Sequence, residues 1–491
     1  MMKDPVEQLL FALPDAMRAS ACKAADRVRS ASKAVIASHI DADGISAAAI
    51  AGTTLARMEI DCQTMFFKKL DDAAVQSLRD ADCDLVWFTD LGSGSLSKIY
   101  DLDAVITDHH APDLRGSRAR ESPQSLLSDF ATVVHVNPHL HGISGASDLS
   151  GAGATFLTAV ATDHANADLS PLAILGSVGD LQNRKTRRLE GLNRPILRVA
   201  TDLELVEAFE DIRYFGRETR PVFKMLEYSS DPFLPRIGGH EQEAISFLLG
   251  LGIELKDGES WRTWTMLSGG EKKTVIDALR EHLIACRRNK ATIERLVGET
   301  YSLTGERPGS PVRDMKEFAT LLNACGRHGR AEIGMRICAG DRGIALAKGL
   351  SLLRDHRSAL SNALELAKSR GITRMKHIQY FDAGDDIEET IVGTVAGMLL
   401  GSGGVDRTAP MIAFAESLEP GEVRMVKVSS RGTQDLISKG MDLSAAMRHV
   451  AEGVGGVGGG HNIAAGATIP FERKRDFLLL LDEVIGSQIM G

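Results

Sequence analysis

The chain has 491 residues, 43% hydrophobic and 25% charged, with a formal net charge of −9. That length exceeds one ordinary core, so two or three domains are expected, with the composition of a soluble globular protein. The acidic balance excludes a protein that coats nucleic acid through global positive charge; any such contact has to come from a local patch or from bridging cations.

Residues 1–30 read as one helix, with Leu9, Leu10, Phe11 and Met17 apolar among charges. The apolar run 35–37 reads as a buried strand. It ends in His39, Asp41 and Asp43, with Gly44 next, before a small-residue helix, ISAAAIAGTTLARME. Asp41 and Asp43 stand two apart in a strand-to-helix turn, so both carboxylates can point into one crevice beyond the strand end, where open α/β sheets place ligands. Left uncompensated, these groups would be costly, which points to a cation. The plainer alternative makes them cap and turn residues. Further strands are expected at 61–67, at 84–89 before Asp90, at 103–107 before Asp108, His109 and His110, and at 132–136 before Asn137. Apolar strands alternating with helical stretches predict a parallel sheet with helices on its faces. All strand ends of such a sheet lie on one edge, so the ligand-type residues that end three of them converge, and a metal site is predicted there.

The segment SGAG at 150–153 opens a helix whose free N–H groups suit an anion, although Gly-rich helix starts also serve close packing alone. The helix 172–180 runs into another acid, Asp180. The basic cluster after it, Arg184, Lys185, Arg187 and Arg188, reads first as a solvated helix end. Residues 190–310 show mostly helical periodicity and no catalytic constellation; Trp261, Trp264 and Phe233 read as core. An apolar helix then ends in LNACGR, which reads as a C-capped helix with arginines favouring its dipole, and a connector helix with heptad-like apolar positions follows over 341–370. From Ile378, HIQYFDAG, MIAFAES and EVRMVKVSS read as strands, the last ending in Ser429, Ser430 and Arg431. The run GVGGVGGGHNIAAGATI reads either as turn-forming segments or, at Gly458, Gly459, Gly460 and His461, as a phosphate-sized concavity of backbone N–H groups. The expected architecture is α/β: a parallel-sheet domain over 1–190, a mainly helical insertion over 190–310, a connector over 311–375, and a smaller α/β domain over 376–491. Six cysteines without a CxxC spacing argue against a zinc site or a disulfide framework; they fit a reducing cytoplasm and read mostly as small core residues. With no signal-peptide pattern and no apolar run near the ~20 residues of a membrane span, a cytoplasmic protein without a membrane partner is expected.

The order of these motifs resembles that of the DHH phosphoesterase superfamily. HxDxDG at 39–44, Asp90, DHH at 108–110 and Asp180 look like its four motifs, and SSR with GGGHNIAAG looks like its DHHA1 substrate-binding domain. LNACGR at 322–327 resembles the LNAAGR segment of RecJ nucleases, and the long insertion is most similar to archaeal RecJ-like proteins of the GINS-associated nuclease type. The manganese pyrophosphatases of the superfamily differ in His-to-Asp spacing. Relatives that serve as replicative helicase subunits have lost ligands that are all present in this chain. The resemblance implies a metal-dependent exonuclease on single-stranded nucleic acid, 5′→3′ on DNA, in replication or repair. Its cofactors would be two Mn²⁺, with Mg²⁺ as the alternative. His39, Asp41 and Asp90 would hold one ion and Asp43, Asp90, His109 and Asp180 the other, with Asp90 bridging. His110 would contact the scissile phosphate, and Asp108 would orient a histidine. Arg327, Ser429, Arg431, Gly459, Gly460 and His461 would contact the strand, in a groove between two domains. Two alternatives stay open: a 3′→5′ RNA exonuclease or oligonucleotide-trimming phosphodiesterase, and a replisome scaffold binding GINS beside the replicative helicase.

Overall fold

The computed structural model describes residues 4–113, 133–401, 405–416 and 424–490. It divides into two units, Met1–Leu353 and Arg354–Gly491. The first is built on a five-stranded sheet: β1 (Lys33–His39), β2 (Asp61–Phe67), β3 (Leu85–Thr89), β4 (Ala104–Thr107) and β5 (Val133–Val136), in the order β2-β1-β3-β4-β5. Every neighbouring pair is parallel. Position 132, expected to start the fifth strand, lies outside the described residues. β3 and β4 are buried at every position, because both faces of the sheet are covered. Ile36, Trp87 and Val105 pack into one core with the helices Asp15–Arg29, Ala42–Arg57 and Gly151–Thr162, while Val35, Phe88 and Ile106 pack on the other side against Val75 and Leu78. Strands buried on both faces read as continuous apolar runs, the pattern seen in LVWFT and AVIT. The strand order reverses at β1 and β3, which opens a crevice beyond their carboxyl ends.

Several expectations are corrected. The first thirty residues form two helices, Pro5–Ala12 and Asp15–Arg29. Pro14 separates them, because the residue before a proline is pushed out of the helical region, and Leu13 is extended at φ −73°, ψ 145°. Residues 190–310 are mainly helical, and to that reading the structure adds a strand pair: Val206–Ile212 and Val297–Leu303 pair antiparallel over their whole length. The first strand carries Glu207 and Glu210 on exposed positions, and the two strands meet across a long stretch of sequence, so no local apolar period announces them. Trp264 is buried, but Trp261 is 44% exposed, its ring edge against Phe223 at 5.0 Å and the Lys256 ammonium over it at 4.6 Å. All six cysteines are free thiols; Cys325 is buried in a core, and Cys62, Cys83 and Cys338 are half-buried against one.

The helix Ile344–Arg370 begins in the core of the first unit, through Ala345 and Leu353, and ends in a core of the second, through Ala363 and Ala367. The second unit is a six-stranded mixed sheet in the order Thr373–Arg374, Gln379–Asp382, Met411–Glu416, Met425–Arg431, Ala464–Pro470, Val457–Gly460. The glycine run is therefore an edge strand. Gly460 pairs with Ala465 across a hairpin, and the His461 N–H is spent on the Ala464 carbonyl at 2.9 Å, so the reading as a concavity of free N–H groups is corrected. Close packing explains the missing side chains: a Cβ on Gly458 would stand 2.4 Å from the Met447 carbonyl oxygen of the helix Leu443–Gly453. Among the described residues, no helix is long and apolar enough to cross a membrane.

That contact yields a stability test. Gly458→Ala should push the helix off the sheet and lower unfolding stability by about 1–3 kcal/mol, the usual cost of overpacking. A urea midpoint unchanged from the parent would contradict the packing described.

Candidate metal centre

The sheet register sets the site. Ser38 pairs with Thr89 and Thr89 with Thr107, so the next residues along, His39, Asp90 and Asp108, stand in one row at the carboxyl edge. Beneath them the three side chains form a buried hydroxyl floor. Thr89 Oγ1 donates to Ser38 Oγ at 2.8 Å, Ser38 Oγ donates to the Gly44 carbonyl at 2.7 Å, and Thr107 Oγ1 lies 2.8 Å from Thr155 Oγ1. Asp90 is 1% exposed and turns the chain through a left-handed backbone, φ 58°, which aspartate tolerates better than most residues.

Two loops complete the edge. Asp41 caps the helix Ala42–Arg57, accepting the Gly44 N–H at 3.0 Å. Asp43, in its first turn, is fully buried and accepts the N–H groups of Gly151 at 2.7 Å and Ala152 at 2.9 Å. The anion at the start of the Gly151–Thr162 helix is thus the chain's own carboxylate. Asp180 caps the C-terminus of Ser170–Gly179. The LNACGR segment ends the helix Met315–Arg327 and clamps the β1 loop: the Asn323 amide oxygen accepts the Ala42 N–H at 2.9 Å, and a Cβ on Gly326 would overlap the Ile40 carbonyl oxygen at 1.7 Å. Arg327, at the end of that helix, is close enough to Asp41 to feel its charge.

These segments bring together His39, Asp41 and Asp90; Asp43, His109 and Asp180; and Asp90, His109 and His110, each group with its ligand atoms within 4.8 Å of one another. The Asp90 carboxylate faces two ways, Oδ2 lying 3.6 Å from His39 Nδ1 and Oδ1 lying 3.2 Å from His109 Nε2. His39 Nδ1 stands 2.9 Å from Asp41 Oδ2, and His109 Nε2 stands 3.1 Å from Asp180 Oδ2 and 3.7 Å from Asp43 Oδ2. His39 Nδ1, Asp90 Oδ1 and His109 Nε2 are all buried without a hydrogen bond. His109 Nδ1 lies 2.6 Å from the Gly145 carbonyl and donates to it, which leaves Nε2 to face the carboxylates. A ligating imidazole is held in this way, its other nitrogen on a backbone carbonyl. Carboxylate oxygens and imidazole nitrogens with no partner but one another fit a divalent cation.

Without a cation, protons have to do the balancing. Burial works against a proton on His109, but Asp180 and Asp90 outweigh it and hold the pKa well above the ordinary imidazole value. At His39 burial also opposes the proton, and Asp41 with Asp90 overcomes it, raising the pKa to about 11. Burial drives Asp43 well up, with repulsion from Asp90 and Asp180 adding to it, and burial also raises Asp180. For Asp90 burial is overcome by His109 and His39, and its pKa falls.

Asp108 plays a different part. It is fully buried and accepts the N–H groups of Ser93 at 2.9 Å, His109 at 2.7 Å and His110 at 3.1 Å. Its Oδ1 also lies 2.8 Å from His110 Nδ1. Burial pushes its pKa up, but the His110 contact prevails and brings it down to about 2. Asn137 ties this corner together, donating to Ser93 Oγ at 2.8 Å and to the His110 carbonyl at 2.9 Å. Asn137, Ser93 and Asn323 were not singled out as site residues from the sequence, because their partners are distant in it.

The other candidate residues lie in the second unit, on one sheet. Ser429 and Arg431 alternate along Met425–Arg431 and share a face against the helix Glu389–Gly401, where a Cβ on Gly393 would meet Ser429 Oγ at 3.0 Å and Arg431 Nη2 at 2.6 Å. Arg431 Nη1 donates to the Ser430 carbonyl at 2.8 Å. Arg431 pairs with Ala464, and Gly459, Gly460 and the exposed His461 belong to the adjoining hairpin, so the group shares one end of that sheet.

A parallel sheet edged with carboxylates and imidazoles, followed by a mixed-sheet domain, is the arrangement expected from the resemblance to DHH proteins. Family models agree: a DHH-CID domain matches residues 214–297 and a DHHA1 domain matches 375–487. With these two domains the chain is similar to proteins of the DHH superfamily. It is 28% identical over 460 residues to an uncharacterized protein of Methanocaldococcus jannaschii, covering 92% of this chain and 93% of that one. In fold it is similar to RecJ in complex with Mn²⁺ from Thermus thermophilus (TM-score 0.57, 16% identity, 97% of this chain), of which it spans only 55%. It is also similar to exonuclease RecJ bound to manganese (0.54, 16% identity, 97% and 96% covered) and to CDC45 from Entamoeba histolytica (0.61, 10% identity, 94% and 97% covered).

The raised pKa values of His39 and His109 make cation uptake a proton exchange. Both imidazoles carry protons at neutral pH when no cation is bound, and a ligating nitrogen must be free of its proton. Binding of Mn²⁺ should therefore release protons, and its affinity should keep climbing as the pH rises through neutrality toward the His39 value of about 11. Calorimetry in buffers of different ionisation enthalpy measures the release; proton uptake, or none, would contradict the assignment.

Proposed function

We propose that the protein is a metal-dependent phosphodiesterase working as an exonuclease on single-stranded nucleic acid, 5′→3′ on DNA, with two divalent cations, Mn²⁺ by preference. The observation that carries this reading is the two-way Asp90 carboxylate, shared between a His39, Asp41 group and a His109 group that meets Asp43 and Asp180. Bound there, the cations would supply Lewis-acid activation of a water and compensation of the charge that builds on the phosphate oxygens.

The chain's own residues do the rest. Asp108 takes the His110 Nδ1 proton in a hydrogen bond, which fixes the ring and turns Nε2 toward an incoming phosphate. The His110 side chain is 55% exposed and reachable by substrate. Its pKa is raised, by the Asp108 hydrogen bond above all and against burial, so it enters as an acid able to donate to a phosphate or leaving oxygen. Asp43, Asp41 and Asp180 hold charge of the opposite sign to the cations, and the helix N–H groups on Asp43 keep that carboxylate from swinging. In the second unit, the Arg431 fork would match two phosphate oxygens, with the side chains of Ser429 and His461 as further strand contacts; in the first unit, Arg327 would be a strand contact of its own. Local cationic contacts of this kind let an acidic protein hold a strand.

The RecJ likenesses support the nuclease reading. The CDC45 likeness favours a second one, a replisome component docking GINS through the insertion at 190–310, and a complete ligand set favours the first. Digestion of DNA and RNA oligonucleotides labelled at the 5′ or 3′ end, with Mn²⁺, tests both. Stepwise release from the 5′ end of DNA is expected; 3′ release from RNA would select the alternative enzyme, and no release at all would overturn the proposal.

Two substitutions separate the roles. Asp90→Asn should lose Mn²⁺ binding and hydrolysis together while circular dichroism stays that of the parent. His110→Ala should keep its Mn²⁺ affinity and lose kcat by a factor on the order of 10²–10⁴, the range for a positioned acid. Parent-like turnover of His110→Ala would remove it from the chemistry.

A further inference from the structure

Within the first unit, a cavity of about 240 Å³ lies between the turn that follows Asp180 and the start of the helix Met315–Arg327. Arg184, Arg213, Arg217 and Lys316 line it, with apolar wall from Val178 and Met315. Arg217 is 1% exposed, and none of its three guanidinium nitrogens has a hydrogen-bond partner. The nearest carboxylates, Asp314 at 3.7 Å and Asp211 at 4.0 Å, are too far to accept from it. They are also engaged: Asp314 caps its helix through the N–H groups of Lys316 and Glu317, and Asp211 accepts from Trp264 Nε1 at 2.9 and 3.0 Å. The other acids of the lining are occupied as well. Glu299 is held by both terminal nitrogens of Arg194 and by the Tyr301 hydroxyl at 2.5 Å, and Asp231 lies between Arg184 at 3.6 Å and Arg295 at 3.4 Å.

A buried guanidinium with five donors and no acceptor is costly, and such a group in a native protein calls for an explanation. Arg213 donates to the Asn183 carbonyl at 3.0 Å and Lys316 to the Arg213 carbonyl at 2.8 Å, so each ammonium or guanidinium keeps further donors. The complement of a planar fork backed by more cations in a partly apolar hole is a tetrahedral anion with several oxygens. We propose that this cavity binds a phosphate group, carried by a small anion or by a nucleic-acid strand, with the Arg217 fork as its seat and Arg184, Arg213 and Lys316 around it. The assignment does not depend on the hydrolytic reading. The cavity does adjoin both segments that frame the metal centre: Leu181 of its lining follows Asp180, and the helix that starts at its edge ends with Asn323 and Gly326 on the β1 loop.

The test uses the full chain with Mn²⁺, titrated with inorganic phosphate, with deoxyadenosine monophosphate, and with a 5′-phosphorylated single strand made uncleavable by phosphorothioate linkages. The parent is compared with Arg217→Lys, which keeps the charge and removes the fork, and with Arg184→Gln, whose side chain is half-exposed. Both variants should bind phosphate at least about tenfold more weakly, the scale of one lost charge-assisted hydrogen bond, with Mn²⁺ affinity kept. Weakening for phosphate and the mononucleotide identifies a small anion as the occupant; weakening for the strand alone identifies the strand. Either outcome upholds the site. Equal affinity of parent and folded variants for all three probes overturns it, and Arg184→Gln alone decides between these outcomes if Arg217→Lys fails to fold.

Discussion

Asp43 is a fully buried carboxylate in the field of two others, Asp90 and Asp180, and burial with repulsion drives its pKa well up. Charge in such a place survives only where fixed dipoles meet it. Two N–H groups at the head of the Gly151–Thr162 helix do so, adding the positive end of the helix dipole to two hydrogen bonds. That contact joins segments 108 residues apart. The rest of the edge depends on it, because it fixes the acid around which His109, Asp90 and Asp180 are gathered.

The same principle recurs one layer out. Asp108 is buried, yet three backbone N–H groups and a histidine surround it, and its pKa falls to about 2. Asp41 is steadied by the Gly44 N–H, and its neighbour Ala42 by Asn323. Asp43 and Asp108 are thus held by backbone N–H groups, which leaves the carboxylate charge available to a cation instead of cancelling it.

The sheet and its ligand-bearing edge were legible because period and position are local. An apolar strand followed by Asp or His can be read in any ten residues, and in a parallel sheet strand ends share an edge. The failures were of another kind. Pro14 splits the first helix through a backbone restriction that apolar spacing does not register. The strand pair Val206–Ile212 and Val297–Leu303 is stabilised by a partner some ninety residues away, not by its own pattern. The glycine run looked like a ligand cradle, whereas Gly458 is dictated by a helix packed on it. LNACGR was visible as a motif, but its contact with Ala42 lies 281 residues back along the chain. Asp43 stood out as an acid; the helix that holds it could not be named.

The hydroxyl floor and the clamp on the β1 loop bear on how the protein is made. The acids and imidazoles span residues 39 to 180, and the Asn323 clamp arrives later still. A nascent chain emerging from the ribosome therefore carries His39 and Asp41 long before the helix that holds Asp43, or Asp180, or Asn323 exists to organise them. Any cation affinity would therefore be a property of the completed unit, and ions bound there would stabilise only the finished fold.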